Sequence, residues 1–297
     1  MPRIALLTIV AATCVGCGDA DRSGRQTEAA SPQSPCPHRI GVPGDEDSGS
    51  AYSPSWSPDG SEIAFTTTSG LHVVTVGTCV IRRVQPTREE LAVDWVDWSP
   101  DGSSFAFVDA RSGGLWVMRA DGSRPRRIAE GSILFPAWSP DGRRIAFVDE
   151  RIDEATASED RNVWIVNANG SGLRRVTRGR WHGSVDWSPD GRWLVTDADG
   201  LVRVRADASG RSVIANGEYP SPCWSPDGST IVTQGLQFVP AAGGPATRVE
   251  VVDGGAFEPC WSPDGKWIAF TDGAGATDLW VAHPDGSGPR QLTTAER

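Results

Sequence analysis

The apolar positions of this chain fall in short runs separated by turn-forming residues, and the arrangement recurs. One set of runs reads Ile63-Ala64-Phe65, Phe105-Ala106-Phe107, Ile145-Ala146-Phe147, Leu194-Val195-Thr196, Ile231-Val232-Thr233 and Ile268-Ala269-Phe270. A second set follows at Leu71 to Val74, Leu115 to Met118, Val163 to Val166, Leu201 to Val204, Leu236 to Val239 and Leu279 to Ala282. A third, more polar set closes each unit, as at Ile81 to Val84, Arg126 to Ala129 and Ala246 to Val249. Ahead of the first set stands Trp-Ser-Pro-Asp-Gly, starting at Trp56, Trp98, Trp138, Trp187, Trp224 and Trp261, so the steps are 42, 40, 49, 37 and 37 residues. In this pentapeptide proline presets φ for the first corner of a turn, aspartate suits the second, and glycine takes the positive φ that follows. That is a type I turn closing into a glycine bulge. The pattern predicts units of four short antiparallel strands, the first ending on the tryptophan.

A four-stranded unit repeated at roughly 40 residues is the signature of a propeller blade. One such sheet has two faces that need burial, and stacking six around an axis covers both faces of every sheet. The expected fold is therefore all-β, a six-bladed β-propeller of four-stranded antiparallel blades over residues 39–297. No helical periodicity interrupts the repeats, and 34 glycines with 22 prolines suit a turn-rich chain. Six of the 13 tryptophans open the motif, and Trp116, Trp164 and Trp280 share one position on the third strand. These nine are assigned to packing between blades. The six motif aspartates, Asp59, Asp101, Asp141, Asp190, Asp227 and Asp264, are assigned to the turn.

The net charge of −10 excludes nucleic acid as a partner, because phosphates need a basic footprint. Met1-Pro2-Arg3 carries a positive charge, Ile4 to Val10 is apolar, and Ala11-Ala12-Thr13 is small. That is the layout of a secretory signal, too short to span a membrane as a helix. Residues 1–16 are read as a lipoprotein-type signal peptide and 17–38 as a flexible tether. Cys17, preceded by Gly16, is the expected lipidation site, with Cys14 the alternative; cleavage and secretion without lipid is the other reading. The predicted location is the bacterial cell envelope, on its periplasmic or extracellular face, with membrane attachment through the lipid anchor only. Export permits disulfides. Cys36 and Cys79 are a candidate pair that would pin the tail to the ring. Cys223 and Cys260 are equivalent residues of neighbouring blades, each directly before a motif tryptophan; a bridge or two small buried thiols are both open.

The six motif copies resemble the TolB-like family of six-bladed propellers. So do the recurring unit ends, Leu115-Trp116-Val117-Met118-Arg119-Ala120-Asp121-Gly122-Ser123 and Leu279-Trp280-Val281-Ala282-His283-Pro284-Asp285-Gly286-Ser287. The resemblance runs from Ser53 to Thr293 and implies the propeller fold. In that family an α/β domain precedes the propeller and helps engage envelope partners; here the residues before the first blade read as a tether, a lipoprotein variant without that domain. Propellers of this type also precede serine peptidase domains, which need a Gly-x-Ser-x-Gly elbow, and none occurs in this sequence. Related pectate-degrading lyases use clustered histidines around a metal. The four histidines here, His38, His72, His182 and His283, fall in the tail, a third strand, a loop between blades and a turn. No metal, cofactor or catalytic residue is expected.

What remains is binding. The residues just before the motif tryptophans are Ser55, Asp97, Ala137, Asp186, Cys223 and Cys260. Asp97 and Asp186, with Asp94 nearby, would place carboxylates near the axis, either to meet a cation or basic peptide at the channel mouth or to cap backbone N–H groups or meet buried arginines. The long step from Trp138 to Trp187 comes from an acidic insertion carrying Asp149, Glu150, Asp153, Glu154, Glu159 and Asp160. It is a candidate partner loop, since insertions in repeat proteins map to one face, or a tolerated surface loop. The expected role is a non-catalytic, monomeric protein-binding scaffold whose partner is another envelope protein. The alternatives are a carbohydrate- or small-ligand-binding propeller and an enzyme with its site at the channel mouth. Lipid attachment at Cys17 predicts that a Cys17→Ala variant leaves the membrane fraction on cell fractionation; unchanged membrane retention would count against that site.

Overall fold

Each repeat folds into a four-stranded antiparallel sheet whose strands pair in sequence order, and there are six such sheets. In this computed structural model the described residues run from 50 to 294, leaving out 89, 151, 154–157, 160, 179–181, 254 and 274–276. Cys14, Cys17, Cys36, Glu154 and Asp160 lie outside the described residues. Blade 1 shows the plan: strands Tyr52–Trp56, Glu62–Thr67, Gly70–Thr75 and Ile81–Val84. Its register sets Ile63 opposite both Trp56 and Val74. The innermost strands of blades 2 to 6 are Val93–Trp98, Ile133–Trp138, Val185–Trp187, Cys223–Trp224 and Ala256–Trp261. Blade 3 carries one addition: its long insertion forms a two-stranded hairpin, Ile152–Asp153 with Ser158–Glu159. Among the described residues no helix is long and apolar enough to cross a membrane.

The motif turns are built identically. In blade 1 the Gly60 N–H donates to the Ser57 carbonyl, and Gly60 has φ of 72°. The Ser57 hydroxyl accepts from the Glu62 N–H and donates to Asp59 Oδ1, which also accepts from the Ser61 N–H. The same triangle recurs around Asp101, Asp141, Asp190, Asp227 and Asp264. Sequence alone accounts for the aspartate but not for the serine, which is buried in all six copies and splices the turn to the second strand. The motif also works between blades. Proline from one turn lies against glycine of the next: Pro58 on Gly102, Pro100 on Gly142, Pro140 on Gly191, Pro189 on Gly228, Pro226 on Gly265 and Pro263 on Gly60. The last contact closes the circle.

The core is divided among the seams. Ile63, Phe65 and Val74 of blade 1 pack with Ala269, Leu279 and Val281 of blade 6. Leu71 and Val73 pack with Phe105 and Met118 of blade 2, and the remaining four seams each hold an equivalent cluster. Burying one such phenylalanine contributes on the order of 2 kcal/mol, and Phe65, Phe107, Phe147 and Phe270 repeat at one register. The motif tryptophans belong to this core, although Trp138 and Trp261 keep partial exposure.

One detail departs from the sequence reading. The third strand of blade 5 begins at Gln237, one residue late, because Leu236 has φ of 47° and belongs to the turn with Gly235. The fourth-strand arginines reach across seams. Arg126 donates to the Ala168 carbonyl, Arg174 to Ala206 and Arg290 to Val76. Blade 1 also receives Cys79, which is disulfide-bonded and nearly buried.

Ser139→Ala would leave the Arg144 N–H without its acceptor beneath an exposed turn whose serine is fully buried. Its unfolding free energy in urea should fall by about 1–3 kcal/mol; no change would mean that the serine does not splice turn to strand.

Candidate functional site

An innermost strand has one sheet neighbour, and its other edge faces the channel. Four of the six strands put proline two residues before the motif tryptophan: Pro54, Pro136, Pro222 and Pro259. Proline has no N–H to leave unpaired on such an edge. The residue before it is the unexpected one. Ser53, Trp95, Phe135, Ser221 and Glu258 all have positive φ, between 37° and 53°. All stand three before the tryptophan. In blades 1, 2, 3 and 6 the register confirms a bulge of one extra residue on the inner strand, as between Asp94 and Asp97. Blade 4 pairs regularly through Val185 and Asp186, and its equivalent residue is Ser184.

A left-handed conformation costs a residue with a side chain on the order of 1–2 kcal/mol. Here it turns five side chains toward the axis. Together with Ser184 they line a cavity of about 340 Å³ walled by all six inner strands. The ring is not uniform. Trp95 and Phe135, from blades 2 and 3, meet at 5.2 Å between centroids with planes tilted by 57°. Glu258, in blade 6, stands across the axis from blade 3. Its Oε2 accepts the Ser53 N–H at 2.6 Å. These ring residues were not singled out from sequence; the proline two before the tryptophan was the available signal in four blades.

The carboxylates expected at the axis divide. Asp97 and Asp186 line the cavity with Glu258. Asp94 does not; it sits in a neighbouring cleft between blades 1 and 2 and accepts the Trp95 N–H. Asp97 and Asp186 also serve the seams. Trp138 N–H donates to Asp97 Oδ2 at 2.6 Å, the Ser55 hydroxyl donates to Asp97 Oδ1 at 2.8 Å, and Trp224 N–H donates to Asp186 Oδ2 at 2.7 Å. Ser55 and Cys223 hold the same post, accepting from Trp98 N–H and Trp261 N–H. Of the two readings open for these carboxylates, capping backbone N–H groups is therefore the one drawn in full.

Protein surrounds Asp97 and Asp186 on every side, although both keep contact with solvent through the channel. Burial raises Asp97 to about 6 and Asp186 to about 7, the latter helped by the charge of Asp97. Burial, with the nearby Asp94 charge, also raises Glu258. Cys223 and Cys260 are free thiols that burial holds well above their ordinary range, so neither is a ready nucleophile. Cys260 instead donates to the Pro54 carbonyl across the closing seam.

Two acids at the start of the insertion, Asp149 and Glu150, are less available than the sequence implied. Asp149 is fully buried at the end of its strand. Glu150 pairs with Arg161 and accepts from the Ser132 hydroxyl. Asp153 and Glu159 belong to the small hairpin. His72 and His182 are buried within blades, and no group of three histidine, cysteine, aspartate or glutamate residues among those described is placed to hold a metal.

Six four-stranded blades around a lined channel define a β-propeller. The chain belongs to the PD40 family, the TolB β-propeller domain, whose model matches residues 45–195, about half of it. Among solved structures it is similar to a protein assigned as TolB from Agrobacterium tumefaciens (TM-score 0.54, 20% identity, 82% of this chain and 80% of that one). It is also similar to TolB from Acinetobacter baumannii (TM-score 0.61, 15% identity, 84% of this chain and 64% of that one). A third is an oligogalacturonate lyase from Vibrio parahaemolyticus (TM-score 0.57, 16% identity, 79% and 78%). The chain thus spans less than two thirds of the Acinetobacter protein. No curated protein matches by sequence. Identities this low carry the fold alone.

The raised carboxylates give stability a definite pH dependence. An unfolded aspartate ionises near 3.8, so between that value and about 7 the folded chain holds the extra proton on Asp186. This contribution is complete below pH 4 and is lost as pH rises through 7. Asp186→Asn keeps an acceptor for Trp224 and removes the charge. The variant should be more stable than the parent at pH 8, by on the order of 2 kcal/mol, with the difference shrinking toward pH 5. Parallel thermal melts at the two pH values check this; a constant difference would contradict it.

Proposed function

We propose that this chain is a non-catalytic scaffold of the bacterial cell envelope that binds a partner protein at the mouth of its channel. The observation that carries the reading is the ring of inward-turned residues, Ser53, Trp95, Phe135, Ser221 and Glu258. Strained backbone persists where a structure over-determines it, and it clusters where a surface is shaped for a ligand. The chemistry favours binding over turnover. Asp97 and Asp186 are engaged by backbone N–H groups, and the two thiols are held protonated. Membership of the TolB propeller family is consistent with a scaffold, and the resemblance to TolB structures supports an envelope setting.

In this reading Cys17 carries the lipid and residues 17–38 tether the ring to the membrane. Cys36 bridges to Cys79, fixing the end of the tether to blade 1. The protein acts as a monomer, without cofactor, on the periplasmic or extracellular face. A lyase-like role is the second reading, favoured by the resemblance to the oligogalacturonate lyase. The sign of the channel opposes it: three enclosed carboxylates would repel a polyuronate.

The test is crosslinking of the native protein in membranes, with mass spectrometry of what it captures. A discrete envelope protein, crosslinked through residues at the channel mouth and lost in a Phe135→Glu variant, is the expected result. Retention of a glycan with no protein neighbour would replace the scaffold reading with the carbohydrate one.

A further inference from the structure

We propose that the channel is a receptor for a single organic cation, an alkylammonium or guanidinium group seated between the Trp95–Phe135 corner and the Glu258 carboxylate. The inference builds on the reading of the channel mouth as the binding face and gives that face its chemistry.

Charge is the first ground. Asp97, Asp186 and Glu258 line the cavity, and no lysine, arginine or histidine does. Asp94 adds a fourth negative charge just behind the wall. Elsewhere the propeller pairs its acids freely, as in Glu62 with Arg82 and Asp264 with Lys266. Along the axis the negative charge is left uncompensated, and a cation entering there meets no competitor.

Shape and surface are the second ground. Trp95 and Phe135 form two walls of an aromatic corner, and the negative faces of such rings attract a cation that has been drawn out of water. Glu258 faces them from across the ring, oriented by its bond to the Ser53 N–H. The other ring positions are Ser53, Ser184 and Ser221, small hydroxyls that leave the space between the corner and the carboxylate clear. A cavity of about 340 Å³ admits one long side chain or a small amine, not a folded element. A neutral sugar would stack on the same rings but leave the enclosed carboxylates without a counter-charge. An inorganic cation would make no use of the rings.

The cation has two sources of the same chemistry: a free amine, or a lysine or arginine side chain on an extended segment of a partner. Isothermal titration of the full chain with agmatine and with the capped peptide acetyl-Gly-Arg-Gly-amide separates them. Binding of the peptide at least tenfold tighter than agmatine assigns the site to a partner segment; comparable binding assigns it to a free amine. Either supports the proposal if the uncharged citrulline peptide fails to bind. Glu258→Gln keeps an acceptor for Ser53 N–H and should weaken both cationic probes at least tenfold, with thermal stability retained. Trp95→Leu keeps an apolar wall without its π face and should weaken them several-fold. Occupancy should also grow from pH 5 to pH 8, as Asp97 and Asp186 ionise with Cys223 and Cys260 still protonated. Equal binding of the citrulline peptide, or full affinity in Glu258→Gln, overturns the proposal. Failure of all cationic probes does so too, even if crosslinking recovers a partner, in which case the scaffold reading stands alone. Cation binding without any captured protein has the opposite meaning: the receptor stands and the scaffold falls.

Discussion

The inner strand of each blade has a free edge, and that edge must be satisfied by the neighbouring blade. A buried N–H without an acceptor costs about 1–3 kcal/mol, and here the same donor recurs on the motif tryptophan. The residue before the previous tryptophan supplies the acceptor: Ser55 for Trp98, Asp97 for Trp138, Asp186 for Trp224 and Cys223 for Trp261. Two seams use other devices. At the third, the Trp187 indole donates to the Ala137 carbonyl and Arg144 lies over the Trp187 ring. At the last, Trp56 donates to the Cys260 carbonyl while the Cys260 thiol donates to Pro54. The acidity of the channel follows from this need. Two carboxylates are on the axis because they are good acceptors, and the field they create there is a second consequence of the same choice.

Outward from the axis the structure becomes more regular. The serine–aspartate turns are alike in all six blades, and the proline–glycine contacts run in an unbroken circle. Inward, symmetry is lost. The six ring positions hold two aromatic rings, one carboxylate and three hydroxyls. Family membership explains the frame, while the departure from sixfold likeness is concentrated at the positions that carry the proposed site.

Much of this was legible in the chain. Blade number, strand order and the turn chemistry follow from the pentapeptide and from the register of Ile63, Phe105, Ile145, Leu194, Ile231 and Ile268. The placement of Asp97 and Asp186 near the axis was also legible, because every inner strand must end on its tryptophan. The ring of left-handed residues was not. Nothing in the identities of Trp95 or Phe135 favours a positive φ; the extra residue of the bulge holds them there, and the strand pairing that creates it is a tertiary fact. The acidic insertion misled in the opposite way. Composition made Asp149 look like surface, but it ends a strand whose other residues are core, and burial follows from register.

The bulges separate the outline of the pocket from its chemistry. Backbone shape at these points is set by the extra residue and, in four blades, by the proline after it, not by the side chain displayed. The six ring positions around one hole behave as sockets on a fixed wheel: each can be refitted singly, leaving the walls intact. A descendant carrying arginine for Glu258 would keep the same frame and invert its preference from bases to acids. Divergence within this architecture therefore needs few steps, and proteins with closely superimposable rings can serve unrelated clients.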